Sequence, residues 1–477
     1  MQRYEISQEN YYLCENKLLF LFCMKRIIFT LIALATLFSL SAQTPEAIRE
    51  SIRKHPNLAI PTFSTYPCMP LEKVAEAPKG FEPFYMSVVS RHGSRYEQDD
   101  KYFRKIVEIF DKADNLGILT PEGKLIHQKM TKILEEQQGR NGELTSLGYE
   151  QLRLVGNRAY NNFPAIFSGE CSVDGRSSTS LRCVFSMVAF VQGLKENNPL
   201  IKVEQQARRE ELPAIRPLVD NKKRSPENFQ KHHKEFVDSG EGAEELKAWK
   251  REQRTPDFMS KITTDPERML KECGGRYDFN VMHNTHKTLL FAANFSMDCS
   301  QLIERNFTVD ELYLSYVYAT YKWIYNSISV GNDIVETRLS CMRPLVDDII
   351  ERANKAIEGK NPHVADLRFT HDSYVAPLQA YMGFDNHRGT YSLDVEKAAT
   401  SFNFSPMIPM GANIQFVLYR NKAGKVLVRT LINERDATIP VKCKTAPFYP
   451  WDDFCNFVTK SMDKFEAPRS RILKSLQ

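Results

Sequence analysis

From Phe84 to Ser90 the chain reads FYMSVVS, aromatic and β-branched, with Pro83 before it and a glycine-containing segment after it. That pattern predicts a buried strand. A periodic stretch predicts a helix at 100–113, and Thr145 stands as N-cap to a second through LGYEQLRLVGNRAY, with Leu147, Leu154 and Arg158 on one face. A third helix is predicted from Ser178 to Gln192, closed by Gly193. Between about 195 and 355 the pattern is polar and helical, broken by short apolar runs such as LYLSYVYATYKWIY (312–325). Strand character returns at Val364 to Phe369, followed by THDSY and a helix ending near Gly383. Asn413 to Tyr419 and Lys425 to Ile432 alternate around Asn421-Lys422-Ala423-Gly424, a β-hairpin pattern. Strands and helices thus alternate at both ends of the chain. This predicts an α/β fold: a mainly parallel sheet flanked by helices, formed by 43–194 and 356–477, with a helical lobe (195–355) inserted into it.

Near the start, Lys25 and Arg26 precede the apolar run IIFTLIALATLFSL (27–40) and the small residues Ser41 and Ala42. A run this short falls below the roughly 20 residues of a bilayer span, and its layout is that of a secretory signal at 24–42. Residues 1–23 then read as sequence upstream of the true initiator Met24. The expectation is an exported protein, periplasmic or secreted, with no stable membrane span after cleavage. A retained anchor, lengthened by KLLFLFC (17–23), is disfavoured because Lys25 and Arg26 interrupt it.

With 477 residues, 42% hydrophobic and 26% charged, the chain has material for sizeable cores and is neither disordered nor fibrous. A formal charge of +5 without a basic cluster gives no basis for a nucleic-acid partner. Eight of the ten cysteines lie beyond position 42, an even number in a chain read as exported, so disulfides are expected. The local candidate is Cys443 with Cys455, while Cys183 sits in an apolar run and reads as a small buried hydrophobe. No CxxC spacing supports a thiolate zinc site.

The chemistry concentrates in Arg91-His92-Gly93-Ser94-Arg95, directly after the first predicted strand. Two guanidinium groups grip an anionic ester bidentately and keep their charge at any physiological pH. Gly93 lets backbone approach a ligand. A neutral imidazole with one free nitrogen can attack phosphorus, provided its other nitrogen has a partner such as the Gly93 carbonyl. In a parallel sheet, ligands sit at the carboxyl ends of strands, so the late His371-Asp372 pair can join this loop in one crevice.

These residues resemble the branch of the histidine phosphatase superfamily that holds histidine acid phosphatases, phytases and multiple inositol polyphosphate phosphatases. The family's Arg-His-Gly-x-Arg-x-Pro loop is matched by Arg91, His92, Gly93, Ser94, Arg95 and Tyr96, with Glu97 where the proline usually stands. GELTSLGYEQLRLVG (142–156) is similar to its Glu-Leu-Thr-x-x-Gly helix start, RSSTSLRCVFSMVAFVQGL (176–194) to the segment supplying a third arginine, and LRFTHDSYVAPLQAYMGF (367–384) to its His-Asp motif. The resemblance implies His92 as nucleophile, Asp372 as proton donor to the leaving alcohol, and Arg91, Arg95, Arg182 and His371 as the phosphate pocket. It implies no metal and no cofactor, since fixed cations neutralise the phosphoryl charge. The substrate is then a small phosphate monoester, with inositol polyphosphates favoured by Tyr96 after Arg95. The His-Asp pair leans instead toward acid phosphatases and bacterial phytases. A sugar-phosphate phosphatase of glucose-1-phosphatase type is the enzymatic alternative, and a non-catalytic phosphate-binding surface protein the alternative outside enzymes.

Each feature has a plainer reading. His371-Asp372 fits a helix N-cap, and Arg182 a polar position on an amphipathic helix. His283 and His286 have metal-compatible i, i+3 spacing, but no third ligand is spaced near them and the main chemistry needs no metal, so a metal site is disfavoured. His232 and His233 read as a solvated face. Lys222, Lys223 and Arg224 read first as a solubilising run and second as a grip for additional phosphates.

Overall fold

The computed structural model describes residues 44–477, except 72, 74, 387–388 and 403–407. The expected signal at 24–42 and the segment 1–23 lie outside the described residues. One sheet organises the rest. Its strands are β1 (Phe81–Arg91), β2 (Ser172–Ser177), β3 (Lys202–Gln206), β4 (Ala365–Thr370), β5 (Asn413–Asn421), β6 (Val426–Ile432), β7 (Arg435–Asp436) and β8 (Phe448–Pro450). Their order is β3-β2-β4-β1-β5-β6-β7, with β8 on β6. Strands β3, β2, β4 and β1 are parallel, and the expected hairpin β5-β6 extends the sheet antiparallel from β1.

Helices cover both faces. Those used below are α1 (Lys101–Asn115), α2 (Pro121–Gln137), α3 (Ser146–Asn162), α4 (Leu181–Asn197), α5 (Glu227–Ser239), α6 (Asp278–Phe291), α7 (Val309–Trp323), α8 (Asp333–Ser340), α9 (Arg343–Ile357), α10 (Asp372–Met382) and α11 (Trp451–Ser475). Among the described residues no helix is long and apolar enough to cross a membrane.

Alternation along the strands divides the interior. Met86 and Val88 of β1, with Leu367 and Phe369 of β4, pack into a core with Leu152, Val155 and Phe190 of α3 and α4. Tyr85 and Val89 face the larger core on the other side, which includes residues of α1, α6 and α7. On that second face β2 and β4 carry Asp174, Arg176, Asp366 and Arg368, all buried. They are satisfied by one another and by α9. Arg368 Nε donates to Asp348 Oδ2 at 2.6 Å and Arg176 Nη2 to the same oxygen at 2.9 Å. Arg352 Nη1 reaches Asp174 and Asp366 at 2.8 and 2.7 Å. A strand reading SVDGRS is therefore buried without being apolar.

Several local expectations change. Gly193 does not end its helix but lies within α4, where a methyl would stand 1.9 Å from the Arg153 carbonyl oxygen of α3. Gly156 is its counterpart, 2.0 Å from the Phe190 oxygen by the same construction. The two glycines let the helix backbones touch. The buried face of α3 is consequently Gln151, Leu152, Val155 and Ala159, while Leu154 points outward. Lys202–Gln206, inside the stretch read as helical, is the edge strand β3.

All eight described cysteines are free thiols. The expected Cys443–Cys455 bridge is not formed. Cys443 Sγ instead bonds the Phe448 carbonyl at 3.3 Å, and burial pushes the Cys455 thiol on α11 up to about 12. Cys183 is fully buried against the Thr370 carbonyl, as a small core residue.

Candidate active site

Strands β1 and β4 pair in parallel with Arg91 opposite Thr370, and β2 pairs β4 with Ser177 opposite Phe369. Chain positions 91, 178 and 371 thereby emerge side by side at one sheet edge. The loop after β1 is pressed onto the start of α3. A Cβ at Gly93 would lie 2.2 Å from the Gly148 oxygen, and one at Gly148 2.0 Å from the Ser94 oxygen. Thr145 caps α3 through Gly148 N at 3.1 Å and also donates its hydroxyl to the Ser94 oxygen at 3.1 Å. The Thr-x-x-Gly start of α3 thus serves as the seat of the loop. Ser94 N donates to Gln151 Oε1 at 2.9 Å and Gly93 N to Ser186 Oγ at 3.1 Å.

Held this way, His92 is buried, with Nδ1 2.9 Å from its neighbour's Gly93 oxygen. That contact makes Nδ1 the donor and leaves the Nε2 lone pair free. Burial, then Arg91 and Arg95, push the imidazole well below its ordinary value, so it is neutral across the physiological range. The His371 ring stands edge-on to it with centroids 5.6 Å apart. Arg182 Nη2 lies 3.4 Å from His371 Nδ1.

Arg91 is fully buried. Its Nη1 donates to the carbonyls of Thr62 and Ile408 at 2.9 Å each, and Nη2 lies 2.9 Å from Asp372 Oδ2. Burial lowers its guanidinium to about 10, still charged at neutral pH. Asp372 occupies the first turn of α10, one place after the N-cap position, which is His371. Its Oδ1 accepts from Ser373 N at 2.8 Å while Oδ2 meets Arg91, so one carboxylate serves both the helix start and the site. Burial alone would raise its pKa, but Arg91, Arg95 and His371 outweigh that and hold it below the usual aspartate range.

Glu97, at the place of the family's proline, is buried 3.3 Å from Arg95 Nη1. Its backbone is fixed at both ends by the Gln137 side chain, N to Oε1 at 2.7 Å and O to Nε2 at 3.0 Å. The loop exit is thus held by α2 where a proline would have stiffened it.

The structure brings together every residue singled out for the site: Arg91, His92, Arg95, Arg182, His371 and Asp372. It adds others that sequence reasoning missed. Arg216 contributes positive potential at both Arg182 and His371. A cavity of about 310 Å³ opens beside Asp372, with Phe63, Lys287, Tyr318 and Lys322 in its wall. Lys287 is pushed down to about 8 by burial and lies 3.7 Å from the centre of the Tyr102 ring. Neither lysine forms an ion pair among the described residues. Their positions on α6 and α7 carried no motif that could have marked them.

Other candidates resolve differently. His283 stacks on Phe279, meets Ser315 Oγ at 3.0 Å and reaches the wall of the cavity beside Asp372, while His286 is buried against Phe307, and among the described residues the pair belongs to no metal-binding cluster. His233 is buried and bonds the Asn326 carbonyl at 2.9 Å, so half of the supposed solvated pair faces inward. The basic run is not a phosphate grip at this cavity: Lys222 pairs with Glu227 at 3.0 Å and Arg224 with Glu466 of α11.

An α/β sheet edge that gathers three arginines and two neutral histidines defines a phosphoryl-binding hydrolase site. The family model of the histidine phosphatase superfamily (branch 2) matches residues 85–433, and the chain belongs to that family. It is a phosphatase by class. Among solved structures, the Bifidobacterium longum multiple inositol polyphosphate phosphatase in complex with inositol hexasulfate is similar at 16% identity and a TM-score of 0.66, covering 83% of this chain and 96% of that one. The phytase from D. castellii is similar at 16% identity and a TM-score of 0.60, covering 85% of each chain. No curated protein matches the chain.

Proposed function

We propose that this protein is an exported phosphatase that hydrolyses phosphate monoesters through a phosphohistidine, with inositol polyphosphates as substrate class. The observation that carries the reading is the neutral His92, its Nδ1 fixed by the Gly93 carbonyl among Arg91, Arg95 and Arg182, with Asp372 paired to Arg91. His92 Nε2 attacks phosphorus, the P–N bond forms, and the ester P–O bond breaks as Asp372, protonated once the bound phosphate dianion offsets the arginines that lower it, gives its proton to the leaving alcohol. Water then attacks the phosphohistidine, its proton passes to the Asp372 carboxylate, and phosphate leaves. The arginines and His371 bind the equatorial oxygens, where charge spreads in the transition state.

The substrate class is supported by Lys287 and Lys322 beside Asp372, cations without carboxylate partners in a cavity wide enough for more than one phosphate. The likeness to an inositol polyphosphate phosphatase points the same way. Export rests on the sequence pattern at 24–42. A panel of inositol hexakisphosphate, glucose 1-phosphate and p-nitrophenyl phosphate, with phosphate release measured at several pH values, tests the reading. The highest kcat/KM is expected on the inositol ester. Preference for glucose 1-phosphate would replace the substrate class, and no turnover of any ester would leave a binding protein.

A further inference from the structure

We infer that a second phosphate-sized oxyanion binds behind the proton donor, in the cavity between α5, α8 and the start of α10, on Arg338 and Ser225. This cavity of about 170 Å³ is separate from the one holding Lys287 and is lined by Ser225, Gln230, His233, Arg338, Ser373 and Tyr374 among others. Arg338 forms no ion pair among the described residues, and the groups that act on its charge are Tyr374 and Cys341 rather than any carboxylate. Its Nε has no hydrogen-bond partner. Arg338 is half-buried with its Nε enclosed, and an anion in the cavity would supply the counter-charge it lacks.

The surroundings are set for one. Ser225 is 1% exposed, and its hydroxyl is unpartnered at the cavity wall. His233 donates Nε2–H to the Asn326 carbonyl, so its Nδ1 accepts from Arg338 Nη1 at 3.4 Å and orients the guanidinium. Burial pushes that imidazole down to about 3, so it is neutral and the cation facing the cavity is Arg338. Asp220, the nearby carboxylate, is occupied by Arg216 at 3.1 Å. The cavity touches Ser373 and Tyr374, which directly follow Asp372 in the chain. Arginine with hydroxyl donors is the donor set of a phosphate oxyanion. The oxyanion is either a distal phosphate of a polyphosphorylated substrate or free phosphate released by the reaction. The inference rests on the phosphatase reading for those two sources but is tested by binding alone.

The test is calorimetric titration of the full chain with inorganic phosphate, comparing wild type, Arg338→Gln, Arg338→Lys and Ser225→Ala. Two phosphates are expected on wild type and one on Arg338→Gln, with intermediate affinity for the second in the other two variants. Thermal melts report folding, and phosphate should stabilise wild type more than Arg338→Gln. A single phosphate on wild type, retained unchanged by Arg338→Gln, overturns the inference and leaves a solvated arginine only. Kinetics then separate the sources. A tenfold or larger rise in KM for inositol hexakisphosphate in Arg338→Gln, with p-nitrophenyl phosphate unaffected, marks a distal substrate phosphate. Loss of a noncompetitive component of phosphate inhibition, with both KM values unchanged, marks free phosphate. Failure of the phosphatase reading would show separately, as absence of turnover in wild type.

Discussion

Two arginine clusters lie on the same sheet, one on a face of β2 and β4 and one at and past the carboxyl ends of β1, β2 and β4, and they differ in how many carboxylates each holds. On the buried face Arg176, Arg352 and Arg368 meet Asp174, Asp348, Asp366 and Glu211, so every guanidinium has a carboxylate. At the sheet edge Arg91, Arg95, Arg182 and Arg216 have only Asp372, Glu97 and Asp220 between them, and Arg182 has none. Electrostatics registers the difference. In the balanced cluster Arg176 is raised and Asp348 is held well below its ordinary value by Arg368 and Arg176 despite burial. At the edge Arg91 and Arg182 are lowered, burial leading in both, while Arg216, which has Asp220 beside it, is raised. Balanced charges hold strands together, whereas unbalanced ones wait for a ligand.

The sharpest way to break this contrast is to remove the nucleophile. His92→Ala should cut phosphomonoester turnover by roughly 10⁴-fold or more, the scale seen when a covalent catalyst is removed, with the fold retained by circular dichroism. Substantial turnover in a folded variant would strip the edge cluster of its catalytic reading. Asp372→Asn should slow alkyl phosphate esters by roughly 10²–10⁴ and p-nitrophenyl phosphate far less, because a good leaving group needs little protonation. Equal losses would mean that Asp372 serves only to orient Arg91, and Glu97 would become the acid to test.

The balanced cluster should respond in stability. Asp348→Ala strands Arg368, which is fully buried with no other carboxylate among the described residues, and leaves Arg176 only Asp174 and Glu211; the expected loss is about 3–5 kcal/mol in denaturant unfolding, the usual cost of breaking a buried pair. Turnover per folded molecule should remain near wild type, since none of these groups reaches the sheet edge. A large loss of kcat without a loss of stability would merge the two clusters into one functional unit.

How much of this was legible in the sequence follows the same division. Arg91, His92, Arg95, Arg182, His371 and Asp372 announced themselves because their chemistry is local: each sits in a short run with cap, glycine or arginine spacing that carries meaning. Arg216, Lys287, Ser225 and Arg338 did not, because their roles arise from what the fold leaves unpaired around them. Strand β2 was invisible for the complementary reason. Its Asp174 and Arg176 look like surface until Arg352 and Asp348, about 175 positions later, neutralise them. Gly193 misled as a helix terminator because a close helix contact and a C-cap both demand the same missing Cβ. The free state of Cys443 and Cys455 likewise depends on packing that no spacing encodes.

The smallest expected effect separates the clusters by pH. His92 and His371 are held below the ordinary histidine value in the folded state, His92 by burial and the arginines, His371 by burial and Arg182. The unfolded chain therefore binds protons that the folded chain refuses as pH falls below about 6.5, and stability declines on acidification by at most about 1.4 kcal/mol per pH unit for each such group. Asp348 and Asp366 are lowered carboxylates, so their contribution stays intact through that window and is lost only below about pH 4, where the unfolded chain takes up protons first. Denaturant unfolding between pH 7 and 5 should accordingly show a slope that His92→Ala reduces by about one proton and that Asp348→Asn leaves unchanged. Between pH 4 and 2.5 the order should reverse, with Asp348→Asn flattening the decline. Should Asp348→Asn instead change the slope near pH 6, the balanced cluster would be exchanging protons with the site, and the separation of structural from ligand-binding charge would fail.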